Sequence, residues 1–104
     1  MPYDPARDPA RALAVSASSP ARLLRRVTPS DAADLSVYAK SLWVHVPATL
    51  TEATIRVTCV GAADGETVDV LAGPGLQPLP PAQVRRVWST GTTAGLAIYA
   101  LSDR

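Results

Sequence analysis

Residues 83–101 read QVRRVWSTGTTAGLAIYAL, and this stretch decides the fold class. Val84, Val87 and Trp88 load a first run with β-branched and aromatic residues. In a second run Leu96, Ile98 and Ala100 alternate with Ala97, Tyr99 and Leu101. Such residues suit a pleated, half-buried surface, and a period of two sends successive side chains to opposite faces. Between the runs, residues 89–95 hold hydroxyls and two glycines but no large apolar side chain. The pattern predicts two strands joined by a tight hairpin turn, with glycine free to take positive φ.

Upstream, the same period recurs. Residues 53–60, ATIRVTCV, put Ala53, Ile55, Val57 and Cys59 on one face and Thr54, Arg56 and Thr58 on the other. Residues 66–72, ETVDVLA, read as the hairpin partner of that strand across the GAADG turn at 61–65. Within residues 36–46, SVYAKSLWVHV, Leu42, Val44 and Val46 point one way and Trp43 and His45 the other. Residues 73–81, GPGLQPLPP, exclude a central strand and a helix interior, because proline removes a donor and fixes φ. They predict a stiff crossing between sheets, with Leu76 and Leu79 folded back onto the sheet. At residues 27–35, VTPSDAADL, Thr28 is placed to cap a single helical turn, with Pro29 at its first position and Asp31 at capping-box spacing. Asp31 and Asp34 then read as a cap and a solvated acid, since no third acidic or histidine ligand lies near them. Arg85 and Arg86 are neighbours on a strand and are expected to face opposite ways, one ion-paired under a loop and one toward a neighbour.

Composition bounds the rest. A chain of 104 residues makes one domain with one modest core. With no Phe and 5% aromatic residues, the core falls to Val, Leu, Ile and Ala, and at least two of Trp43, Trp88 and Tyr99 are expected to fill it. The fold expected is all-β: a small antiparallel β-sandwich or jelly-roll-like domain of about six to eight strands. It spans residues 25–104, behind an N-terminal arm at 1–24. That arm is broken by Pro2, Pro5, Pro9 and Pro20 and carries a DPAR repeat at 4–7 and 8–11. Its Leu13, Val15, Leu23 and Leu24 are poor choices for permanent exposure, so the arm is expected to order against a partner.

Chemistry is sparse. A net charge of +1 supplies no field for nucleic acid or an anionic membrane. One cysteine excludes an internal disulfide or a cysteine zinc site, and Cys59 reads as a small core residue. His45 is the only histidine, with no nucleophile signature beside it. The TGTTAG turn lacks the lysine and the helix of a phosphate loop. No catalytic residue, cofactor or metal is expected, and the chain reads as a non-enzyme. It has no secretory leader pattern and no apolar run near the ~20 residues that span a bilayer, so it is expected to be made in the cytoplasm and to stay soluble or to be assembled there into something larger.

The order of features is itself informative. VTPSD at 27–31 is followed by Asp34 and Leu35, then by an alternating strand with Trp43. A proline-rich approach leads to VRRV at 84–87 and TGTTA at 90–94, before a C-terminal apolar strand. Over roughly residues 20–101 this order resembles the spike base proteins of gene transfer agents and related alphaproteobacterial tailed phages. It departs from them in the DPAR arm and in the loop around residues 48–53. The resemblance implies a virion structural protein, a pentamer at the capsid vertices of a phage-like particle. It implies capsid protein and a spike fibre protein as partners. Under it, Tyr3, Arg7, Arg11 and Leu13 are the candidate capsid contacts of the arm. Arg85, Arg86, Thr92 and Thr93 are candidate oligomer or fibre contacts. Two other readings stand beside it. A carbohydrate-binding module would show two or more aromatics exposed on one face. A tail or baseplate adaptor would differ in location and ring symmetry.

Overall fold

The computed structural model describes residues 2–9 and 19–104. Seven strands follow in chain order: β1 (Leu23–Arg26), β2 (Ser41–Val46), β3 (Ala53–Cys59), β4 (Val68–Ala72), β5 (Gly75–Pro78), β6 (Val84–Val87) and β7 (Ala97–Ser102). They pair antiparallel into two sheets, β1-β7-β2-β5 and β4-β3-β6. The domain is therefore an all-β sandwich, as the alternation predicts. It takes in Leu23 and Leu24, which the sequence places in the arm.

The core lies between the sheets and is wholly aliphatic. Leu42, Val44 and Val46 from β2, Ala53, Ile55 and Val57 from β3, and Ile98 and Ala100 from β7 are all buried. The aromatic fillers expected there are not in it: Trp43, Trp88 and Tyr99 are half-buried on the outer faces of the sheets. Two facing layers of Val, Leu and Ile fill the roughly 10 Å between sheets without them. Trp88 also needs a partner for its indole N–H, and it donates to the Thr58 hydroxyl at 2.9 Å. Cys59 is half-buried at the end of β3 rather than sealed in the core.

The β3–β4 hairpin forms as expected, with Ile55 opposite Val70 and Val57 opposite Val68. Residues 73–74 then cross to the other sheet, where β5 pairs with β2 as an edge strand. An edge tolerates Pro78, which has no N–H to give a further neighbour. Leu79 packs on the core, but Leu76 faces solvent at 56% exposure instead of folding back.

Three local expectations fail for identifiable reasons. First, β6 and β7 do not form a hairpin; they belong to different sheets, and residues 88–96 cross between them. Gly91 and Gly95 do take positive φ, at 93° and 86°. The turn is nonetheless drawn along β3, where Trp88 N donates to Arg56 O at 2.8 Å and Thr93 N to Thr54 O at 2.8 Å. Second, Arg85 and Arg86 do not face opposite ways. The β3–β6 register runs Thr58 to Arg86 and then Cys59 to Val84, so Arg85 is an extra residue on β6. This bulge resets the alternation: Val84 and Val87 both face the core, and the two arginines share the outside. Third, no helical turn starts at Thr28. Ser30 forms the turn instead, its hydroxyl accepting from the N–H groups of Ala32 (3.1 Å) and Ala33 (3.3 Å). The chain from 27 to 39 leaves the margin of β7 and runs beside β6, through Ser30 N to Val87 O, Leu35 N to Arg85 O and a bridge between Ala39 and Val84.

Candidate functional site

The bulge in β6 makes Asp34 the centre of a charge cluster. Arg86 Nε donates to Asp34 Oδ1 at 2.8 Å, and Arg85 Nη1 to Asp34 Oδ2 at 3.0 Å. Arg85 also reaches Asp64 at 2.8 Å and the Ala62 carbonyl at 3.0 Å, which anchors the tip of the β3–β4 hairpin. Arg86 lies over the Trp88 ring, 5.1 Å from its centroid. The Arg86 and Arg85 guanidiniums hold the Asp34 carboxyl below the usual carboxylate range. Asp34, half-buried between two arginines, is therefore not the solvated acid the sequence suggests, and Asp31, although exposed, caps no helix. Asp31 accepts from the N–H groups of Ser89 (3.0 Å) and Thr90 (2.9 Å) and from the Thr90 hydroxyl, and these bonds lower its pKa, Thr90 most.

Thr92 and Thr93 sit in the same crossing. Their hydroxyls accept from Arg56 N and Thr54 N, both at 2.9 Å. They complete the ladder of β3 where β6 has ended. Arg85, Arg86, Thr92 and Thr93 are thus gathered along one sheet, but their polar groups are used inside the chain.

The arm residues are placed apart from that cluster. Asp8 accepts from the Tyr3 hydroxyl at 2.7 Å and from Arg22, just before β1. The Asp8 carboxylate raises the Tyr3 phenol pKa. Arg7 pairs with Asp4 at 3.7 Å in full solvent, within the short turn Pro5–Arg7 that Asp4 caps. Residues 2–9 are therefore held against their own chain at the head of β1. Arg11 and Leu13 lie outside the described residues.

The surface that sequence reasoning missed is the outer face of the β1-β7-β2-β5 sheet. Strand register aligns Arg26, Tyr99, Trp43 and Pro78 in one row across all four strands. Directly opposed side chains on neighbouring strands stand about 5 Å apart. Flanking rows bring in Leu24 and Leu101 on one side, His45 and Leu76 on the other. Together they line an open groove of about 660 Å³. Arg26 lies over the Tyr99 ring at 5.7 Å. The signal was present in the sequence: both rings stand on the parity opposite to Leu42, Val44 and Ile98, which are core.

Among the described residues no three acidic, histidine or cysteine side chains group as a metal site, and no helix is long and apolar enough to cross a membrane. The arrangement offers contact chemistry: an apolar face with a cationic rim, edge strands at β1 and β4, and a braced hairpin. No family model matches the chain. No curated protein matches it either. Among solved structures it is similar to a chain described as "Capsid of native GTA particle computed with C5 symmetry", from a gene transfer agent. The two share 29% identity and a TM-score of 0.71, over 91% of this chain and 99% of the other.

Proposed function

We propose that this chain is a structural protein of a phage-like particle and forms the base of a head spike at the capsid vertices. The coarser part, a virion structural protein of the gene transfer agent kind, rests on one observation: the similarity to a gene transfer agent capsid component covers nearly the whole of both chains. The finer part is our reading. The neighbour comes from a capsid resolved with C5 symmetry, and a five-fold axis passes through a capsid vertex. Five copies around that axis make a ring that joins capsid below to a spike fibre above. A sandwich whose polar clusters are spent on bracing its own loops suits that scaffold role, and no enzymatic step is proposed.

A second reading, direct contact with cell-surface polysaccharide, is favoured by the Trp43–Tyr99 pair on one exposed face. Leu24, Leu76 and Leu101 make half of that groove's lining aliphatic, and the Trp43 indole, the Tyr99 hydroxyl and His45 are the lining side chains that can hydrogen-bond a sugar. The test is the protein content of purified particles from cells with and without this chain, read by quantitative mass spectrometry. The spike-base reading expects the fibre to vanish with the chain while major capsid and tail proteins stay. Particles that keep the fibre without it, or wild-type particles that lack the chain, would refute the reading.

A further inference from the structure

The two lateral margins of the sandwich differ in charge. On one margin β1 is an edge strand, paired only with β7 among the described residues, and all four of its residues are exposed. It carries Leu23, Leu24, Arg25 and Arg26. No strand of its sheet contains an Asp or Glu. On the opposite margin β4 is also an edge strand, paired among the described residues only with β3. Val68 is 53% exposed and Leu71 61%. The hairpin leading into β4 bears Asp64 and Glu66, and β4 itself Asp69, with no base from residue 60 to 72. Asp64 and Asp69 are paired within the chain, with Arg85 and Arg56. Glu66 is exposed and makes no ion pair among the described residues. The margins are opposite because the chain after β1 runs down beside β6, whereas β4 is joined to β5 by residues 73–74 alone.

We infer that β1 of one copy docks on the β4 margin of the next, so that copies join head to tail into a ring. The inference rests on the ring proposed above and names its contact. Charge selects the partner. Two β1 edges would set Arg25 and Arg26 against themselves, and two β4 edges would set Glu66 against itself; like charges directly opposed are unfavourable. An antiparallel pairing of the two edges that sets Arg26 opposite Glu66 also sets Leu24 opposite Val68, and it extends the sheet along margins that pair with no further strand among the described residues. A contact between two different patches is heterologous, which is the kind that closes into a cyclic ring rather than a two-fold dimer.

Charge-swapped full-length chains in purified particles test it. Arg26→Glu and Glu66→Arg, each confirmed folded by circular dichroism, are expected to lower ring occupancy at least tenfold, and the double variant to restore it. Occupancy is read as chain per major capsid protein, with symmetry from reconstruction of the vertex. Single variants that assemble like the wild type, or a double variant that stays lost, would overturn the edge contact while a wild-type ring at the vertex left the spike-base reading standing. Wild-type particles with no ring of this chain would overturn both.

Discussion

Thr58 shows how much one buried hydroxyl can connect. It is 1% exposed, donates to the Glu66 carbonyl at 3.0 Å and accepts from the Trp88 indole at 2.9 Å. It therefore ties β3 to the loop before β4 and to the crossing after β6. Thr58→Val keeps the shape and strands both partners. Stranding a buried polar group costs about 1–3 kcal/mol. For a domain of this size each kcal/mol moves the melting temperature by roughly 4–8 °C. We expect a drop in that range by calorimetry, with altered Trp88 fluorescence; an unchanged melting temperature would contradict this linkage. The sequence placed Thr58 on the face opposite Ile55 and Val57, which is correct. It gave no sign that this face would be sealed, because the lid over it is Trp88, thirty positions away.

At the scale of elements, strands were legible and their partners only partly so. The alternation in residues 53–59 and 41–46 predicts β3 and β2, since each has one sealed face. VRRV at 84–87 is the instructive failure. Two valines three apart cannot share the core face of a regular strand, so the motif already asked for the bulge that gathers Arg85 and Arg86 on Asp34. TGTTAG looked like a hairpin turn by composition. Its destiny was set by distant acceptors, Asp31 and the backbone of β3, which local pattern does not encode. These braces titrate. Asp31, held by Thr90 and Ser89, and Asp34, held by Arg86 and Arg85, both have folded-state pKa values below their unfolded ones. A depressed carboxylate gives stability that is complete above its unfolded pKa and is lost as pH falls through the folded one. Thermal melts should stay level from about pH 7 to 5 and decline below about pH 4. The Asp31→Asn/Asp34→Asn double variant should melt lower at neutral pH and fall less steeply in acid. An equally steep acid fall in that variant would assign the acid sensitivity elsewhere.

For the whole molecule, the sequence supports a small sandwich and a family likeness, and the structure adds the surfaces. The candidate contacts Arg85, Arg86, Thr92 and Thr93 brace the fold, and Arg26, Tyr99, Trp43 and the edge strands β1 and β4 face outward. Their outward placement depends on which strands share a sheet, a long-range property that a period of two cannot supply. The central claim is that this chain stands at a capsid vertex as the base of a spike. The most direct measurement is a five-fold-symmetric electron cryo-microscopy reconstruction of particle vertices, wild type against a deletion of this chain. Five copies of this sandwich around the axis, absent in the deletion, are the result predicted. Vertices that are identical in the two maps, with density lost at the tail instead, would contradict it.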